Sequence, residues 1–87
     1  MYNGKEETVT LICKNNMMNN IIDKFGGEVK TSPTDFGHFK TVVRVYVNRT
    51  FFAWVFQFSG DVKIAHPLSV AIKYKEMLVN ALNKSYS

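Results

Sequence analysis

Phe51-Phe52-Ala53-Trp54-Val55-Phe56-Gln57-Phe58 contains the only tryptophan of the chain and four of its seven phenylalanines. Aromatic side chains bury the most apolar surface per residue, and truncating one inside a core costs on the order of 3–5 kcal/mol. A small domain has little more than that in net stability. Phe51, Phe52, Trp54, Val55, Phe56 and Phe58 are therefore expected to organise the core. The conformation of the run is open to two readings, because both the helical and the alternating template fit it. As a helix it is capped by Asn48 or Thr50, with Phe51, Val55 and Phe58 on one face and Phe52 and Phe56 flanking them. As a strand it places Phe52, Trp54, Phe56 and Phe58 on one side. Turn residues bound it in either case, Asn48-Arg49-Thr50 before and Ser59-Gly60 after.

The flanks are easier to read. His38 to Val47 is the clearest strand: Phe39, Thr41, Val43, Val45 and Val47 fall on one face and Lys40, Val42, Arg44 and Tyr46 on the other. Downstream, Asp61 to Ala65 alternates again, with Val62 and Ile64 inward and Lys63 outward. Pro67 then stands where a helix tolerates proline, in its first turn. The helix it opens carries Val70, Ala71, Tyr74, Met77, Leu78, Ala81 and Leu82 at three- and four-residue intervals and is expected to end near Asn83-Lys84, with Ser85-Tyr86-Ser87 frayed. Upstream, Glu6 to Lys14 is rich in β-branched residues and reads as a strand with Val9, Leu11 and Cys13 on one face. Asn15-Asn16 offers a cap, and Met17, Met18, Ile21, Ile22 and Phe25 recur at helical spacing until Gly26-Gly27. A further strand is expected over Glu28 to Thr31, ending in a turn at Ser32-Pro33-Thr34-Asp35.

The connection between the strands ending at Val47 and beginning at Asp61 decides the central run. Parallel strands need a crossover of about a dozen residues, usually helical. Asn48 to Gly60 has that length, so the run is expected to be a helix. The predicted fold is α+β: a ferredoxin-like β-α-β-β-α-β unit with a four-stranded antiparallel sheet, plus an additional C-terminal helix.

Eighty-seven residues, 46% hydrophobic and 21% charged, describe one domain with a single modest core, spanning 1–87. The lone Cys13 forms no internal disulfide and fits a reducing compartment, where its simplest role is that of a small buried hydrophobe. No apolar segment approaches the ~20 residues that cross a bilayer, and no charged-then-apolar signal opens the chain, so no membrane partner and a cytoplasmic location are the expectation. The net charge of +4 comes from eleven lysines and arginines scattered along the chain, which is the pattern of a solvated surface and not of a nucleic-acid footprint.

Catalysis would need a constellation that the residues do not form. His38 and His66 stand far apart in sequence, each beside a turn, with no paired cysteine or carboxylate at metal-ligand spacing. Acylphosphatases share the ferredoxin-like fold but need an arginine in a phosphate-cradling loop before the first helix; the corresponding Cys13-Lys14-Asn15-Asn16 has neither arginine nor glycine. RNA-recognition motifs stack bases on two or three aromatics of the central strands. Only Tyr46 stands on the outward face of the equivalent strand here. No enzyme activity, no metal and no cofactor are expected.

Several pieces in order, Thr10-Leu-Ile-Cys-Lys-Asn-Asn-Met-Met18, Asp23-Lys-Phe-Gly26, Arg44-Val-Tyr-Val47, Phe51-Phe-Ala-Trp-Val-Phe-Gln-Phe-Ser-Gly60 and Val62-Lys-Ile-Ala-His-Pro67, together resemble the C-terminal extension (WCX) domain of WYL-domain helix-turn-helix transcriptional regulators. The resemblance covers nearly the whole chain. It implies a ferredoxin-like fold and a place behind a WYL domain and a DNA-contacting helix-turn-helix, neither of which is in this chain, so that Met1-Tyr2-Asn3-Gly4 would open the tail piece of such a bacterial regulator. It also implies a homodimeric regulator, the WYL domain of the parent chain as partner, a part in effector sensing, and contact with DNA only through the missing reader. No catalytic or binding residue transfers with it.

Function is expected on the sheet face opposite the core, where Thr10, Ile12, Lys40, Val42, Arg44, Tyr46 and Lys63 should lie. If the C-terminal helix packs across that face, these residues become ordinary core and rim. Left open, an apolar patch rimmed by charge marks a protein contact. The competing expectation is an anionic ligand or single-stranded nucleic acid held by Lys40, Arg44 and Lys63, with Tyr46 as a stacking surface.

Overall fold

A computed structural model of the chain describes the backbone of residues 4–86 and the side chains of residues 4–85. Four strands and three helices alternate: β1 (Lys5–Lys14), α1 (Met18–Phe25), β2 (Thr31–Asp35), β3 (His38–Val47), α2 (Arg49–Phe56), β4 (Val62–His66) and α3 (Leu68–Tyr86). The sheet order is β2-β3-β1-β4 with every neighbouring pair antiparallel. This is the ferredoxin-like arrangement with one extra helix at the end. β3 and β4 run parallel but are not neighbours, since β1 lies between them and α2 crosses over it.

The aromatic run is a helix for a local reason as well as a topological one. Asn48 is extended, and its side-chain oxygen accepts from the Phe51 N–H at 2.9 Å, closing the first turn. Phe51, Phe52 and Val55 then face the sheet and are buried. Trp54 and Phe58 are half-buried against the same core. Phe56 departs from the expectation that it helps organise the core: it is 57% exposed. At 100° per residue it lies well round from Val55, and the sheet beneath α2 is already filled by the three buried side chains.

The core is a single layer between sheet and helices. β1 supplies Val9, Leu11 and Cys13, β3 supplies Phe39, Val43 and Val47, and β4 supplies Val62. Ile21 enters from α1 and Val70 from α3. Thr41, the buried polar residue of this layer, donates its Oγ1 hydrogen to the Lys30 carbonyl at 2.7 Å, so its burial leaves no unmet group. Ile22, expected on the inner stripe of α1, is instead largely outward, because residues 18, 21 and 25 already make that contact.

Three local expectations are corrected. The second strand is not Glu28 to Thr31 but Thr31–Asp35, including the Ser-Pro-Thr-Asp segment expected as a turn. Pro33 is compatible with it because β2 is an edge strand, where a missing N–H costs no ladder bond. Asn15-Asn16 forms a short 3-10 turn before α1 and makes no side-chain cap. The last helix continues past Asn83-Lys84 to Tyr86, with the Ser85 hydroxyl donating to the Ala81 carbonyl at 2.9 Å; the expected fraying at Ser87 and the opening Met1-Tyr2-Asn3 lie outside the described residues. Pro67 sits just before the helix, its carbonyl accepting from Val70 and Ala71 at 3.1 and 3.2 Å.

Candidate functional site

α3 does not cross the open side of the sheet. Its Val70 is buried in the helical-side core and its Tyr74 ring packs against Phe52 of α2 with centroids 5.4 Å apart and planes tilted by 41°, which places it beside α2. Burial also raises the Tyr74 phenol above its ordinary pKa. The opposite face is left to solvent. Lys40, Val42, Arg44, Tyr46 and Lys63 are all exposed, with Val42 at 49% and Tyr46 at 52%, and Thr10 and Ile12 are half-buried between them.

The strand registers fix how these residues neighbour one another. Ile12 is level with Lys63 of β4 on one side and with Lys40 of β3 on the other. Thr10 is level with Val42, Thr8 with Arg44, and Glu6 with Tyr46. A pair of lysines around an isoleucine thus lies at one end of the face and a tyrosine beside a glutamate at the other. Lys40 and Arg44 are separated by about 13 Å along β3 at the rise of a strand. The Arg44 guanidinium already donates through Nη2 to Glu6 Oε1 at 3.1 Å. That pair is exposed and weak in stability, yet it tempers the positive charge of the face.

β3 is open along its edge as well as its face. β2 reaches only His38 to Thr41 in the ladder, leaving residues 42–47 as the sheet margin. The Lys14 N–H donates to the Asp61 carbonyl at 2.9 Å and the Asn15 N–H to the Gly37 carbonyl at 3.0 Å. Lys14 is the register partner of His38, so the second bond marks that pair as one whose own amides point away from each other. The β1–β3 register is unbroken, so the amides of Lys40, Val42, Arg44 and Tyr46 likewise turn away from β1. Lys40 meets Ser32 of β2. Val42 is level with Lys30, just before β2, and Arg44 and Tyr46 have no strand opposite them among the described residues. A groove of about 320 Å³ runs beside them, lined by Lys24 and Phe25 of α1, Arg44 to Tyr46, and Thr50 and Phe51 of α2.

The β2–β3 turn beside this face is held by Asp35. Its Oδ1 accepts from the Gly37 N–H at 3.1 Å and lies 2.9 Å from His38 Nδ1. The His38 hydrogen bond, then that of Gly37, hold the carboxyl below its ordinary range. Cys13 faces the core, and burial pushes its thiol up to about 11. His66 is exposed at the end of β4 and lies near neither Cys13 nor His38 in sequence or in ladder. Among the described residues no group of three His, Cys, Asp or Glu side chains could hold a metal ion, and no helix is long and apolar enough to cross a membrane.

Sequence reasoning found the face but missed the open edge, because the short reach of β2 follows from where its pairing begins and not from alternation. The fold and this face define an α+β domain of ferredoxin-like type with one uncovered sheet surface. Comparison with protein-family models, with curated proteins and with solved structures finds no match in any of the three.

Proposed function

We propose that this domain is a non-enzymatic regulatory and docking module of a bacterial WYL-type transcriptional regulator, meeting the WYL domain of its own protein through β3 and taking part in effector response, while DNA is read elsewhere in that protein. The observation that carries this reading is that Val42, Arg44 and Tyr46 present exposed side chains at one corner of the sheet, where the amides of Arg44 and Tyr46 have no strand opposite them among the described residues. Such a corner offers both modes of protein contact, an apolar patch with a charged rim and an edge that accepts a strand. The motif order quoted above supplies the partner. Calorimetric titration of the chain with the WYL domain should give saturable binding, abolished by Val42→Glu and Tyr46→Glu. Binding that is absent, or indifferent to both substitutions, overturns the reading.

A second reading, an anionic ligand or single-stranded nucleic acid on the same face, is favoured by the Lys63-Ile12-Lys40 row. It requires Tyr46 to stack beside Glu6 and Arg44 to release it. Polarisation of labelled oligonucleotides would show affinity that falls steeply with salt and with Arg44→Ala. No salt-dependent binding removes it.

A further inference from the structure

Beyond the contact of Tyr74 with Phe52, α3 runs clear of α2 and leaves a crevice between the two helices. Met77 and Leu78 are half-buried, whereas residues 79–85 are all exposed. Across from them, Arg49, Ala53 and Phe56 recur at steps of four and three and share one outward stripe of α2. All three are exposed. The crevice consists of two adjoining hollows. One, of about 460 Å³, is lined by Ala53 and Phe56 of α2 and by Met77, Leu78, Ala81 and Leu82 of α3, with Ser85 its one polar side chain. The other, of about 430 Å³, is lined by the same Met77 and Ala81 together with Arg49, Asn80 and Lys84. Among the described residues no carboxylate lines either hollow.

The crevice is therefore apolar at one end and cationic at the other. Phe56 and Leu82, 57% and 56% exposed, hold large apolar side chains in water at the apolar end, the arrangement of a binding site and not of a solvated surface. Size selects the class of occupant. Arg49 and Phe56 are about 10 Å apart along α2, less than the roughly 16 Å of a three-turn partner helix. The volume of each hollow lies within the usual range of small-molecule sites. We infer that the crevice binds a small amphiphile with an anionic head, of the class of a medium-chain carboxylate. The Arg49 guanidinium takes the carboxylate through paired N–H donors, with Lys84 bordering the same end. The tail lies over Ala53 and Ala81, whose small side chains leave the space it fills, and ends against Phe56 and Leu82. A tail of about eight to ten carbons spans the ~10 Å from Arg49 to Phe56. This site is separate from the β3 corner. It deepens the proposed function by naming an effector class and rests on that reading only for the word effector; the binding itself is read on the isolated chain.

Decanoate titrated into the 87-residue chain should bind saturably, with a Kd below about 1 mM, and should move the amide signals of Ala53, Phe56 and Ala81. Octanoate and hexanoate should bind more weakly by about two- to fourfold for each methylene lost. Decylammonium, which keeps the tail and reverses the charge, should be weaker than decanoate by about tenfold or more. Arg49→Glu should weaken decanoate by a similar factor, and Ala53→Leu, which fills the apolar end, should abolish its binding. The thermal midpoints of both variants should hold, because both positions are exposed. Arg44→Ala should leave decanoate binding unchanged, which separates this crevice from the sheet face. Decanoate that does not saturate, or decylammonium that binds as tightly, overturns the inference. So do shifts of these three signals by the WYL domain but not by decanoate, which would make the crevice a protein contact.

Discussion

Phe25 at the end of α1 meets Trp54 of α2 edge to face, with ring centroids 5.4 Å apart and planes at 81°. Trp54 in turn meets Phe58 at 5.2 Å and 80°, and the Lys24 ammonium lies 5.7 Å from its ring centre. The single tryptophan thus joins the two crossover helices outside the sheet contact. Phe25→Ala should lower stability by about 2 kcal/mol, less than a fully buried truncation because the ring is half-exposed. Trp54 emission should shift to the red in the folded protein. Urea unfolding followed by fluorescence checks both.

Phe52 and Phe56 are one turn apart on α2 and differ sharply in burial, at 7% and 57%. Phe52→Ala should cost about 3–5 kcal/mol, since the ring fills the space between the sheet and Tyr74. Phe56→Ala should cost less than about 1 kcal/mol. Equal losses in denaturant titrations would contradict the placement of α2.

That pair also shows what the sequence could and could not reveal. The alternation of β3 and the length of the Asn48 to Gly60 connection were enough to predict the helix, the ferredoxin-like sheet and the face shared by Lys40, Val42, Arg44, Tyr46 and Lys63, but not whether α3 covers that face. The run itself could not say which of its aromatics turn outward, because six large apolar side chains compete for a space that three fill. The Ser-Pro-Thr-Asp segment carries turn composition, and only its position at the sheet edge makes a strand there tolerable.

Gly26 ends α1 with φ 96° and ψ 160°, its N–H donating to the Ile22 carbonyl at 2.8 Å. That conformation is open almost only to glycine. Gly26→Ala should therefore destabilise the domain by about 1–3 kcal/mol although the site has room for a methyl group. A thermal melt matching the parent would contradict it.

Two groups set opposite pH dependences. The Asp35 carboxyl titrates lower in the folded protein than its ordinary 3.8, so its contribution is present above that value and is lost as pH falls through the folded one. Asp35→Asn should remove that acid-side loss from the β2–β3 turn, read from the amide signals of Gly37 and His38. The Cys13 thiol titrates higher, at about 11 against an ordinary 9.0, so the folded state keeps a proton that the unfolded chain gives up and stability falls as pH rises past about 9. Alkylation of Cys13 near neutral pH should proceed only through unfolding, and rapid labelling of the folded protein would contradict its burial.

The proposed function rests on β3 as the contact strand, and amide hydrogen exchange on adding the WYL domain tests it most directly. The account predicts slowed exchange at Arg44 and Tyr46, whose amides face the open edge, with little change along α3. Unchanged exchange along β3, or protection confined to the helical side, would contradict it.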